Sequence, residues 1–209
     1  MTKAPTGTVT FVLSDIVDST SLWDASPTHM ASAMQVHDRI LRDVIDRHDG
    51  HFVKHTGDGV CAAFSRVTTA ALAALDGCHS LGGQTWPDRA PLRVRFVVHT
   101  GECFERDHDY FGSPLCIARR LIEITPAESI WITAVAAQLL QRAPHDDLDL
   151  ASVGSRQLRG LSLPINVFHL TKRNAESDAS LLAASWGQRA PPAPPRDAAT
   201  AGLTTSSRQ

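Results

Sequence analysis

The chain has 209 residues, 43% of them apolar, and a formal charge of −2 at neutral pH. That composition supports one domain with a full core better than it supports two. The balanced charge argues against a protein devoted to the nucleic-acid backbone, and no run of about 18 apolar residues marks a membrane span. The start, MTKAPTGTVT, lacks the apolar centre of a signal peptide. Cys61, Cys78, Cys103 and Cys116 form no CxxC pair and read as reduced thiols of a cytoplasmic protein. The histidines include no HExxH or clustered ligand set, which leaves little for a zinc site.

In chain order, Thr8–Ser14 (TVTFVLS) reads as a buried strand that runs directly into Asp15-Ile-Val-Asp-Ser-Thr20. Ser26-Pro27 is a helix start, a capping serine followed by proline at the first helical position. Met30, Ala33, Met34, His37, Ile40, Leu41, Val44 and Ile45 then recur at three- and four-residue spacing and mark one buried face. His48-Asp49-Gly50 ends that helix, with the glycine in the C-terminal cap. Two β-type segments, His51–Lys54 and Val60–Phe64, flank a tight Thr-Gly-Asp-Gly corner, which is a hairpin signal. A second helix over 65–82 places Val67, Ala71, Leu72, Leu75 and Cys78 on its apolar side, and Gly82-Gly83 stops it. Trp86–Pro91 is a loop, Leu92–His99 a half-buried strand, and Glu102–Asp109 a polar, mobile stretch. Gly112–Ile124 forms a short helix, Ser129–Thr133 a strand, and Thr133–Arg142 a helix capped by Thr133. Two β segments, 147–153 and 165–170, close the domain.

The β-α-β-β-α-β order implies an α+β fold: a ferredoxin-like, palm-like sheet with helices on one face. Residues 1–6 read as an N-terminal tail and 7–171 as the domain. The Pro-, Ala- and Ser-rich remainder, 172–209, predicts a disordered tail in which SLLAASW (180–186) has helical character.

Asp58 stands at the hairpin tip between two glycines, and Asp15 stands where the first strand ends. Taken singly, Asp58 reads equally well as a solvated Asp-Gly turn and Asp15 as a helix N-cap. Together, two acids at neighbouring strand ends suit a hard cation such as Mg²⁺ or Mn²⁺, which binds through one or two carboxylates plus substrate phosphates. Lys54, four residues before Asp58, need not share its site, because side chains alternate along a strand.

SDIVDST (14–20), FVKHTGDGVCAAF (52–64), VVHTGE (97–102), DYFGSPLCIARRL (109–121) and LRGLSLPINVFHL (158–170) together resemble the catalytic domain of class III nucleotidyl cyclases of the bacterial stand-alone type. The resemblance spans roughly residues 7–171 and implies an adenylate cyclase, in which two divalent cations, Mg²⁺ or Mn²⁺, sit on Asp15, Asp58 and the backbone carbonyl of Ile16. It further implies that the Val17–Thr20 turn, with Ser19 and Thr20, presents N–H groups to the β- and γ-phosphates of ATP. Asp18 falls where many relatives carry glycine. Lys54 and Asp109 match the purine-contacting pair. An ammonium donating to adenine N1 and a carboxylate accepting from the N6 amino group fit ATP, whereas guanine mismatches both contacts. Arg120 falls at the transition-state arginine, with Arg119 beside it facing outward. Arg159 falls at the position of a phosphate-contacting lysine.

Cys116 departs from the family pattern, which has an asparagine there that orients the ribose. A thiol cannot supply a strong amide donor, and loss of one preorganised donor commonly costs on the order of 10²–10³ in turnover. The family shares its site between two chains, so the resemblance implies a head-to-tail homodimer with two equivalent sites, and neither nucleic acid nor membrane as partner. Two alternatives follow: a degenerate module that binds nucleotide or a partner without useful turnover, and a guanylate cyclase. Another palm-like two-metal enzyme is disfavoured by the absence of a Gly-Gly-acid-acid-Phe type turn.

Overall fold

The computed structural model describes residues 4–86, 91–107, 109–143 and 147–173, all within one compact unit, Met1–Asn174. Most of the expected C-terminal tail, including 180–186, lies outside the described residues, as do positions 87–90 of the expected loop.

Strand β1 (Gly7–Ile16) is buried on both faces over most of its length and sits inside the sheet. It pairs antiparallel with β3 (Val60–Phe64) on one side and β4 (Val94–Arg106) on the other. Beyond β3 lies β2 (His51–His55), and beyond β4 come β6 (Ile130–Thr133), β8 (Ile165–Lys172) and β7 (Leu148–Arg156). The β4–β6 pairing is parallel and the remaining pairings are antiparallel. This is the expected α+β, ferredoxin-like sheet, but the helices are not confined to one face as expected, because α4 (Ser113–Glu123) packs on the other side of β1 and β4.

Helices α2 (Pro27–Arg47), α3 (Val67–Gly82) and α5 (Ala134–Gln141) cover one face of the sheet. Their buried side chains form one core with Val12, Phe64, Phe96, Val98, Ile130 and Ile132. A short α1 (Ser19–Ala25) precedes α2. Helix α4 (Ser113–Glu123) lies on the opposite face, packed on β1 and β4, with Leu115, Ala118 and Leu121 buried. Its Pro114 sits directly over Gly101, where a Cβ would come within 2.5 Å of the proline ring.

Several local expectations are corrected. The α3 residues driven into the core are Ala70, Ala71, Ala73, Ala74, Gly77 and Leu81, while Val67, Leu72, Leu75 and Cys78 flank them. Small side chains let the helix approach the sheet: a Cβ at Gly77 would already stand 3.3 Å from the Phe96 ring. The larger apolar residues then fill the edges of the contact.

At the end of α2, Asp49 rather than Gly50 takes the left-handed conformation, with φ 55°, one that Asp tolerates better than most residues. Gly50 is required for space instead, because a Cβ there would lie 2.5 Å from the Phe64 ring. Thr133 occupies the N-cap of α5 without a side-chain capping bond; its hydroxyl is hydrogen-bonded to His99 Nδ1 at 2.8 Å.

Much of the stretch from Glu102 is strand. Strand β4 continues to Arg106 and pairs with β5 (Asp109–Phe111), facing Phe104 with Phe111 and Arg106 with Asp109. Tyr110 anchors the hairpin. It is buried, meets Phe11 edge-on at 5.2 Å and donates its hydroxyl to the Pro5 carbonyl at 2.7 Å.

Candidate active site

The β2–β3 corner is closed by Thr56 N–H donating to the Gly59 carbonyl at 2.9 Å. Gly57 supplies the left-handed turn residue, with φ 88°. Gly59 has a different task. A Cβ there would fall 1.9 Å from the Ser14 carbonyl oxygen, so only glycine lets the hairpin tip lie against the end of β1. The Ser14 hydroxyl accepts from Val60 N–H at 3.0 Å and ties the two strands at that point. Asp58 is thereby delivered beside Asp15.

The Asp15 carboxyl is pushed above the usual carboxylate range. Burial is the main cause and the nearby Asp58 charge adds to it, while Arg95 opposes both. Arg95 stands directly across from Asp15 in the β1–β4 register. Its Nε donates to Asp15 Oδ2 at 2.7 Å, its Nη2 lies 2.5 Å from the same oxygen, and its Nη1 donates to the carbonyls of Glu123 and Thr125 at 3.0 and 3.2 Å. Sequence reasoning missed Arg95. The signal was an arginine inside the apolar alternation of LRVRFVVH, whose meaning depends on the register with β1.

These residues fit a hard divalent cation. Two adjacent carboxylates, one of them desolvated, repel each other, and a dication between them relieves that repulsion. Among the described residues no group of three His, Cys, Asp or Glu side chains is placed to hold a metal. A pair of carboxylates would suit Mg²⁺ or Mn²⁺, whose coordination is completed by water and phosphate oxygens.

Asp18 adopts φ 59°, which accounts for glycine being acceptable at that position. Its carboxylate faces outward to Arg93 Nη2 at 3.0 Å. Val17 does not offer its N–H to a ligand, because that group donates to the Arg93 carbonyl at 2.9 Å. Of the expected phosphate-facing turn, Ser19 and Thr20 open α1.

Lys54 donates its ammonium to Asp109 Oδ2, while Tyr110 N–H donates to Asp109 Oδ1 at 2.8 Å. The Lys54 hydrogen bond is the main reason the Asp109 carboxyl titrates below its usual range. Arg119, exposed on α4, also bears on Asp109, so its charge reaches this cluster rather than facing only away. The expected purine pair is thus assembled across β2 and β5.

On α4, Cys116 is exposed and Arg120 half-buried one turn later. The Arg120 guanidinium lies against Gly160, where a Cβ would come 3.2 Å from Nη2. Gly160 has φ 70° and follows Arg159, so the two expected phosphate-binding arginines flank one turn. The carboxylate corner, the Lys54–Asp109 pair and the arginine turn are borne by different elements of the one domain.

A family model described as the adenylate and guanylate cyclase catalytic domain matches residues 1–172. An uncharacterised protein of Mycobacterium tuberculosis is 34% identical over 168 residues, which cover 79% of this chain and 56% of that protein. A receptor-type adenylate cyclase of Trypanosoma brucei brucei is 26% identical over 224 residues, covering 86% of this chain and 18% of the receptor. The chain thus spans little more than half of the first of these relatives and under a fifth of the second. Among solved structures, an adenylate cyclase from Trypanosoma brucei in its monomeric state superposes with a TM-score of 0.73 at 25% identity, over 83% of this chain and 92% of that one. Ordered motifs, sheet topology and family match agree: the chain belongs to the adenylate and guanylate cyclase catalytic-domain family.

Proposed function

We propose that this domain is an adenylate cyclase that converts ATP to 3′,5′-cyclic AMP and pyrophosphate at sites shared between two copies of the chain. The observation that carries the reading is the Lys54–Asp109 pair. An ammonium donor and a carboxylate acceptor side by side match the N1 and N6 edge of adenine. Guanine would set O6 against Asp109 and a protonated N1 against Lys54, leaving two polar contacts mismatched.

In this reading Asp15, Asp58 and the Ile16 carbonyl hold Mg²⁺ or Mn²⁺, which when bound supplies charge neutralisation and an acidified ribose hydroxyl. Lys54 and Asp109 fix the base, and Ser19 and Thr20 at the start of α1 face the terminal phosphates. The ribose 3′-hydroxyl gives its proton to solvent water, its oxygen forms the bond to the α-phosphorus as the bond to the bridging oxygen breaks, and that electron pair leaves on pyrophosphate. Arg120 and Arg159 carry positive charge to the reacting phosphates. The domain comprises residues 7–171, and the site is completed by a head-to-tail partner.

A second reading, a nucleotide-binding module with little turnover, is favoured by one observation. Cys116 is an exposed thiol one turn before Arg120, where an amide donor would serve the ribose. Purified protein supplied with Mn²⁺ and either ATP or GTP separates the readings. Cyclic AMP formed from ATP, absent with Asp58→Ala, supports the cyclase. Nucleotide binding without product from either substrate supports the module.

A further inference from the structure

Arg95 is held at both ends. Two of its nitrogens engage Asp15 Oδ2, and the third donates to the carbonyls of Glu123 and Thr125. Glu123 is the last residue of α4, and Thr125 lies two residues beyond. A helix leaves its final carbonyls without intrahelical donors, and here one guanidinium serves the last of them, at Glu123, together with the Thr125 carbonyl just past the helix end. The segment is tied back to the last turn of α4 by hydrogen bonds. Thr125 N–H donates to the Ile122 carbonyl at 3.1 Å, and the buried Thr125 hydroxyl donates to the Leu121 carbonyl at 2.9 Å. A shift at Thr125 is therefore passed to the whole of α4, which carries Cys116, Arg119 and Arg120.

We propose that Arg95 is a positioning residue that couples the Asp15 carboxylate to α4, so that a divalent cation arriving at Asp15 and the placement of α4 are linked. A cation on Asp15 competes for the carboxylate that Arg95 holds, and the guanidinium must share it or swing away. Because its fork is planar and rigid, a rotation that relieves Asp15 also moves Nη1 against the Glu123 and Thr125 carbonyls. Linkage makes the effect reciprocal: whatever seats α4 alters cation affinity by the same factor. The inference rests on the metal reading of Asp15 and Asp58. In a dimer of the proposed kind α4 serves the neighbouring site, so cation loading at one site prepares the other.

Cys116 provides a natural reporter on α4. Cys61 and Cys103 are buried, and Cys78→Ser removes the remaining partly exposed thiol. The full chain in that background is labelled at Cys116 with an environment-sensitive fluorophore and titrated with Mn²⁺ alone. Binding is followed independently through the electron paramagnetic resonance of free Mn²⁺. In the otherwise native chain the probe responds with the midpoint of Mn²⁺ binding. In Arg95→Gln, Mn²⁺ still binds within about ten-fold, while the probe response falls by about five-fold or more. Arg95→Lys keeps the charge but not the fork, and gives the same loss of response with affinity closer to native. It also carries the test if the glutamine variant does not fold. An undiminished response in the folded variants, or a silent probe while Mn²⁺ binds the native chain, overturns the coupling and leaves the metal reading intact. Failure of the native chain to bind Mn²⁺ overturns both.

Discussion

Gly59→Ala is the substitution whose effect the geometry specifies most closely. The new Cβ would lie 1.9 Å from the Ser14 carbonyl oxygen, 2.7 Å from the Ser14 carbonyl carbon and 3.1 Å from the Asp15 Cα. All three obstacles are backbone atoms of β1, a strand paired on both sides, so no rotamer change relieves the clash. Restoring ordinary contact needs a retreat of the hairpin tip by about 1.5 Å, with an overpacking cost of about 1–3 kcal/mol. Moving Asp58 off Asp15 by that distance should lower turnover by about 10²-fold, the usual consequence of a misplacement near 1 Å. Gly57→Ala is the control. It has φ 88° but open space around it, so it carries backbone strain alone, about 1 kcal/mol. Melting temperature, Mn²⁺ affinity and cyclic nucleotide production are measured on both. Native Mn²⁺ affinity and turnover in folded Gly59→Ala would refute the claim that this glycine sets the carboxylate geometry.

Acid stability offers a second prediction. Burial lowers the His99 pKa to about 4, and those of His37 and His169 also fall. A base depressed on folding binds fewer protons folded than unfolded, so its contribution is intact at neutral pH and is lost as pH falls from about 6.5 towards 4. For His99 the loss is on the order of 3 kcal/mol, and the melting temperature of His99→Asn should fall less steeply over that window than that of the native protein. Asp15 has the opposite sense: its raised pKa makes the ionised form a cost at neutral pH, and Asp58 contributes to that rise. Asp58→Asn should therefore abolish turnover yet raise the melting temperature of the metal-free protein by about 1–2 °C. Cys116→Asn should raise kcat by about ten-fold or more by restoring an amide donor, and an unchanged kcat would show that the position is not limiting. Lys54→Ala should raise KM for ATP and reduce the preference for ATP over GTP by about ten-fold, read from kcat/KM on the two nucleotides.

The sequence made the strand ends legible because Asp15 and Asp58 follow apolar runs whose termini are marked by turn residues. Lys54 and Asp109, distant along the chain, became a pair through the resemblance, and the structure joins them. Arg95 stayed hidden because its meaning lies in register: its partner is 80 residues away, across an antiparallel ladder that strand periodicity does not specify. The β4–β5 hairpin was obscured by its polar outward residues, its order coming from backbone pairing and from Tyr110 beneath it. The α3 face was misread because apolar size was weighed above close approach. Gly50 was assigned to conformation when the Phe64 ring was the actual constraint.

The most direct test of a shared cyclase site is complementation. Asp58→Ala removes one half of the proposed site and Arg120→Ala the other. Each variant alone should form no cyclic AMP from ATP and Mn²⁺. Mixed in equal amounts and allowed to exchange, half the dimers should be mixed, each holding one intact site, which returns about a quarter of native activity. A mixture as inactive as its components would contradict the account, as would full activity in either variant alone.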